Sequence, residues 1–174
     1  MHKSFKMMSV MALSAGLATT AILMPNAANS QDAGERAMEA RQGLMKLVVW
    51  EAGPLFGMAS GDMAYDAGAA SAHAANLAAL SQYPYSGLFL PGTSQADHPG
   101  KSCALADIWD DTAKVDQVYK DFQAKVATLV EVAGDGQPAL AAAVSEMGKS
   151  CGSCHKPFRA KDDSKPFGLC VPDR

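Results

Sequence analysis

The sequence predicts an all-α fold, an antiparallel up-down-up-down four-helix bundle, and three observations carry that expectation. No sustained alternation of apolar and polar residues follows Ser30, and Ile108 is the only isoleucine beyond that point. Alanine, leucine and methionine dominate instead, which favours helix over strand. Apolar residues recur at three- and four-residue steps in four segments, and short links join the first to the second and the third to the fourth. Such links make antiparallel neighbours.

The N-terminus reads as an export signal. Lys3 and Lys6 are followed by an uncharged run from Met7 to Met24, then by Pro25-Asn26 and the small residues of Ala28-Asn29-Ser30. Cleavage is expected after Ser30, leaving residues 31–174 as one domain of about 144 residues. As an uncleaved anchor, the eighteen residues of the run could just span a bilayer, but the Ala-x-Ser site favours cleavage. No later stretch is apolar enough for stable membrane insertion. The whole chain, 48% hydrophobic and 19% charged, has enough apolar material for a core. Its formal charge is −3; removing Lys3 and Lys6 leaves 13 basic against 18 acidic side chains, or −5. An acidic domain has no field for nucleic acid or anionic lipid, so neither is expected as a partner.

The first helix is expected over about 33–60, with Ala37, Leu44, Val48, Leu55 and Ala59 on one stripe and a bend at Gly53-Pro54. Asp66 suits the N-cap of a second helix reaching Leu80, with Ala70, Ala74 and Leu77 inward. Residues 81–103 hold Pro84, Pro91 and Pro99 with Gly87, Gly92 and Gly100, the composition of a long irregular connection. A third helix is expected over about 104–133 on the spacing of Val115, Val118, Phe122, Val126 and Leu129. Gly134-Asp135-Gly136 ends it, and Pro138 fits the first turn of a fourth. That last helix sets Leu140, Val144, Met147, Cys151, Cys154 and Phe158 at steps of four, three, four, three and four. Both cysteines therefore lie on its apolar stripe, with His155 one turn after Cys151.

Cys151-Gly152-Ser153-Cys154-His155 is a C-x-x-C-H motif, the attachment pattern for haem c. Two thiols at this spacing can each add to one haem vinyl group, and the adjacent imidazole is a good axial ligand for iron. Competing readings are a zinc site adding Cys103 and Cys170, a thioredoxin-like dithiol, and a disulfide within the motif. The first would give a haem-free zinc-stabilised helical module, but its second cysteine pair is scattered. The second wants a strand before its helix, and the third has poor geometry within one helical turn.

Taken together, Arg41-Gln42 with Met45, Tyr65-Asp66, Pro91-Gly92-Thr93 with Asp97, Ile108-Trp109 and the haem motif followed by Arg159 resemble the class II c-type cytochromes, the cytochrome c′ family, over about 35–159. The resemblance implies one covalent haem c in a four-helix bundle, held through Cys151 and Cys154, with His155 as the proximal iron ligand. It implies that Arg41 and Gln42 approach the haem propionates, that Asp97 touches the cofactor from its loop, and that Arg159 lines the proximal pocket. Pro157 threatens the last of these by ending the helix early. Met45 falls at the family's distal position. As a sixth ligand it would make the haem low-spin and suited to electron transfer; as a packing residue it would leave an open face for a diatomic gas. The implied role is a periplasmic single-electron carrier serving periplasmic redox proteins. The alternative is a five-coordinate binder of nitric oxide or carbon monoxide, and dimerisation is left open.

Other residues read more plainly. His73 fits a surface or packed histidine, His98 an exposed loop residue, and Trp50 and Trp109 core or interface residues. Scattered carboxylates, with no phosphate loop and no serine–histidine arrangement, argue against an enzyme. Two of the four cysteines are consumed by haem, so Cys103 and Cys170 are expected to pair in an oxidising compartment. Closing that loop is worth about 4 kcal/mol in the chain-entropy model.

Overall fold

A computed structural model describes residues 27–162 and Cys170. The expected signal segment up to residue 26 and most of the C-terminal tail lie outside the described residues. Helix α1 spans Ala27–Ser60, beginning six residues before the expected start and running through the expected cleavage point. Pro54 lies inside it without ending it. Helix α2 spans Ala67–Ser81, and Asp66 caps it as expected, its Oδ1 accepting from the Ala69 N–H at 2.7 Å. The connection that follows is irregular apart from one 3-10 turn at Tyr85–Leu88.

The expected third helix is divided. A single turn, α3 (Asp107–Asp110), is separated from α4 (Thr112–Val132) by Asp111, whose φ of −121° and ψ of 59° break the helix. The Asp111 side chain accepts from the Lys114 N–H at 3.1 Å and so caps α4. Residues 104 and 105 stay outside any helix because the end of the last helix takes their backbone: the Leu105 N–H donates to Phe158 O, and Ala104 pairs antiparallel with Arg159. Helix α5 spans Gln137–Phe158 and runs through Pro157. The carbonyl that Pro157 leaves without a donor belongs to Ser153, an exposed residue, where water can satisfy it.

The long helices pack in a closed ring, α1 on α2, α2 on α4, α4 on α5 and α5 on α1, which is the expected up-down-up-down bundle. Its interior falls into two clusters. The larger holds Leu55, Leu77, Val126, Leu129, Leu140 and Met147 among others. The Tyr65 hydroxyl ties off this end by donating to Ala133 O and accepting from the Gly136 N–H, both at 2.9 Å. Gly136 has φ +111°, a conformation L side chains rarely adopt, so glycine is required there. At the opposite end a smaller cluster gathers Tyr85, Ile108, Val115 and Phe158 with Phe89, Tyr119 and Cys154 at its margin. Among the described residues no helix is long and apolar enough to cross a membrane.

Leu55 is fully buried in the larger cluster. Leu55→Ala is expected to cost about 3 kcal/mol of unfolding free energy, the transfer term plus the cavity left behind. Urea denaturation measures it, and a loss under about 1 kcal/mol would mean that the site collapses around the gap.

Candidate functional site

Along α5 the apolar stripe is nearly sealed at Leu140, Val144 and Met147, then opens: Cys151, Cys154 and His155 are each half-buried. The helical repeat brings the three onto neighbouring positions of one face. Cys151 and Cys154 are free thiols, and Cys151 Sγ lies 3.4 Å from Met147 O, one turn back. Burial pushes both thiols up, and for Cys154 the charge on Cys151 adds to the effect. This is the reverse of an activated dithiol, whose thiolate is stabilised. Burial pulls His155 down, with the Arg159 charge adding to it, so the imidazole is held neutral. Protonated thiols beside a neutral imidazole are the starting materials for thioether attachment and iron ligation.

Arg41, on α1, is 7% exposed. Its guanidinium donates to Thr93 Oγ1 at 2.8 Å, to Thr93 O at 2.7 Å and to Ser102 Oγ at 2.7 Å, and it sits 4.9 Å from the centroid of the Phe89 ring. Every one of these partners is neutral. Desolvation lowers the guanidinium to about 10, which leaves it charged. Phe89 in turn meets Tyr85 edge-on at 5.3 Å, and Tyr85 lies against Tyr119 at 4.3 Å. Burial raises the Tyr85 phenol, and the charge on Cys154 raises it further. This aromatic chain brings Arg41 and Cys154 to one end of the bundle. Sequence reasoning missed Phe89, Tyr85, Tyr119 and Ser102; an aromatic pair four residues apart in a proline-rich connection was the available signal.

The remaining expected site residues are placed differently. Gln42 reaches the same loop as Arg41, donating to Lys101 O at 2.7 Å. Asp97 turns inward on its own loop, its carboxylate accepting from the Ser94 N–H at 3.0 Å and the Ser94 hydroxyl at 2.6 Å, bonds that lower its pKa. Met45 lies on α1, one helical turn after Arg41, and is 42% exposed. Arg159 is not on the α5 face. It is the first residue past the helix, in extended conformation, and its guanidinium donates through Nε and a terminal nitrogen to Cys170 O. The cause is the strand-like pairing of Ala104 with Arg159, which pulls the chain out of helical geometry.

Among the other candidates, His73 is packed as expected, with Nδ1 2.8 Å from Glu51 Oε2. His98 is half-buried and not exposed. Trp109 donates to Phe89 O at 2.9 Å beside the smaller cluster, whereas Trp50 is 72% exposed and no part of the core. Cys103 and Cys170 form the expected disulfide, with Cα atoms 5.7 Å apart. That removes two of the four ligands of the zinc alternative, and no group of three or more metal-ligating residues occurs among the described residues.

The residues present fit a haem. The two thiols and imidazole stand at the required spacing, and Arg41 is a buried cation bonded to neutral oxygens, the environment in which a carboxylate such as a propionate gains most. Comparison with known proteins agrees. A family model described as Cytochrome C′ matches residues 36–159. The cytochrome c′ of Cereibacter sphaeroides is 47% identical over 145 residues, covering 83% of this chain and 96% of the relative. A solved cytochrome c′ from Rhodobacter sphaeroides superposes with a TM-score of 0.71 at 47% identity, covering 74% of this chain and 98% of that one. A nitric oxide complex of a mutant cytochrome c prime from Alcaligenes xylosoxidans gives a TM-score of 0.64 at 30% identity, covering 74% and 97%.

Arg41→Met keeps much of the side-chain volume but removes three buried hydrogen bonds. Hydrogen bonds from a charged donor are worth about 1.5–3 kcal/mol each, so amide exchange across residues 93–104 should speed by about tenfold or more. Unchanged exchange there would show that the loop is held by its own turns.

Proposed function

The chain belongs to the cytochrome c′ family, and on that premise we propose that it is a periplasmic class II c-type cytochrome, carrying single electrons through one covalent haem c with His155 as proximal iron ligand. The observation that carries this reading is the C-x-x-C-H segment on α5, with two half-buried protonated thiols and a neutral imidazole at successive positions of one helix face. When bound, haem c supplies a reversible one-electron iron couple and, where no sixth ligand is present, an open face for a small diatomic molecule.

The chain's own residues do the rest. Cys151 and Cys154 are the two attachment points, and their place on a long packed helix fixes the orientation of what they hold. His155 offers a nitrogen that needs no deprotonation before it binds metal. Arg41, already anchored through Thr93 and Ser102, is the cation for the propionates, and Gln42 braces the same loop through Lys101 O. Phe89, Tyr85 and Tyr119 keep water from that end of the bundle. Asp97 supports the site through the loop turn it stabilises. In this reading the chain serves as carrier or binder, in keeping with the scattered carboxylates of its sequence. Its partners are redox proteins of an oxidising compartment, a location supported by the N-terminal signal pattern and by the Cys103–Cys170 bridge.

A second reading is supported by one specific observation. A mutant cytochrome c prime from Alcaligenes xylosoxidans, a solved relative at 30% identity, holds nitric oxide. Without a sulfur ligand from Met45, the haem of this chain would likewise be a five-coordinate site for nitric oxide or carbon monoxide.

Two measurements decide these points. Denatured chain made in a host competent for c-type maturation is expected to keep its pigment through acid-organic extraction, and His155→Ala to keep the pigment while losing the native ligation spectrum. A colourless wild-type polypeptide would end the haem reading. Ferric and ferrous spectra of the wild type and Met45→Ala settle the sixth position: low-spin wild type turning high-spin supports the electron carrier. High-spin wild type that takes up carbon monoxide assigns the gas-binding role instead.

A further inference from the structure

Arg159 leaves α5 with its backbone N–H still bonded to His155 O at 3.1 Å, so its position is tied to the residue that would ligate iron. Past the helix end its side chain turns to the backbone of Cys170. What fixes it is Cys170 O, which accepts from both Nε, at 3.0 Å, and a terminal nitrogen of the same guanidinium. That carbonyl is itself held from three directions. Cys170 is 8% exposed, its N–H donates to Ala160 O at 3.1 Å, and its sulfur is bonded to Cys103. Cys103 is equally fixed, since its carbonyl accepts from the Ala160 N–H at 2.9 Å and the next residue, Ala104, pairs with Arg159. Cys103, Ala160 and Cys170 form a small buried cluster of their own.

We propose that the Cys103–Cys170 bridge is a positioning device for the haem site: by fixing the Cys170 carbonyl it holds in place the guanidinium of Arg159, four residues past His155, and so sets the electrostatic environment of the iron. This rests on the haem reading. A fixed cation close to the iron favours the ferrous state, which carries one less positive charge; a guanidinium released to solvent is screened and exerts less of that influence. The bridge therefore does more than shorten the unfolded chain. It acts on the iron through one side chain, and both residues are positioning residues.

A double-mutant cycle on the haem-loaded protein tests this. Cys103→Ser/Cys170→Ser is compared with wild type, and the same pair is then compared in an Arg159→Ala background. The readouts are the ratio of ferrous to ferric haem at a fixed ambient potential and the melting temperature. We expect the serine pair to lower the ferrous share several-fold in the wild-type background and to leave it unchanged once Arg159 is gone, while the melting temperature falls in both. An unchanged or raised ferrous share, or an equal fall in both backgrounds, overturns the proposal and leaves the bridge a purely structural tie. Should the serine pair fail to fold, reducing the bridge in folded holoprotein and alkylating the two freed thiols opens it after haem is in place, and the same comparison applies. A colourless wild type would instead be the failure of the haem reading, so the two failures are distinguishable.

Discussion

A helix buries one stripe, and the organisation of this molecule follows from what α5 does with its own. Over its first half that stripe closes the larger core with Leu140, Val144 and Met147. At Cys151 the same stripe stops being sealed and presents two thiols, without a change in helical phase. The thiols are thus aimed by the same periodicity that packs the core. The two clusters follow from this change of role. One is completed by aliphatic side chains alone, and the other is an aromatic assembly around Tyr85 and Phe158 with Cys154 on its margin.

The loop between α2 and α3 is the second participant, and its structure depends on a single buried charge. Arg41 is the point where α1, the Thr93–Ser102 segment and the Phe89 ring converge. A guanidinium surrounded by hydroxyls, a carbonyl and a ring face is well hydrogen-bonded yet keeps its full positive charge in a poorly solvated place. Hydrogen bonding alone would have been served by a neutral amide. The retained charge is what the proposed contact with the haem propionates would draw on.

Much of this was legible in the amino-acid sequence, and the parts that were not have a common physical cause. The four helical segments, the Asp66 cap and the Cys103–Cys170 pairing rest on local periodicity, a local hydrogen bond and cysteine arithmetic, and the structure contains each of them. The late start of the third helix was missed because it arises from contacts distant in sequence, whereas the break at Asp111 is local, its side chain capping α4. Residues 103–105 are claimed by residues 158–160, and no propensity of Ala104 or Leu105 announces that. The same pairing moved Arg159 off the helix. Asp97 and Ser94 satisfy one another within a turn, a local arrangement that a position in a family pattern does not disclose.

The Cys103–Cys170 bond also has a topological meaning. It turns residues 103–170 into a closed covalent ring that contains α3, α4 and α5, with Cys151, Cys154 and His155 all inside the loop. A single backbone cut anywhere within that ring, by a protease or by chemical ageing, opens it into a linear branched chain without separating any piece. The motif cysteines and the rest of the bundle therefore remain one molecule after one scission, and two cuts are needed before the segment bearing the motif can be lost.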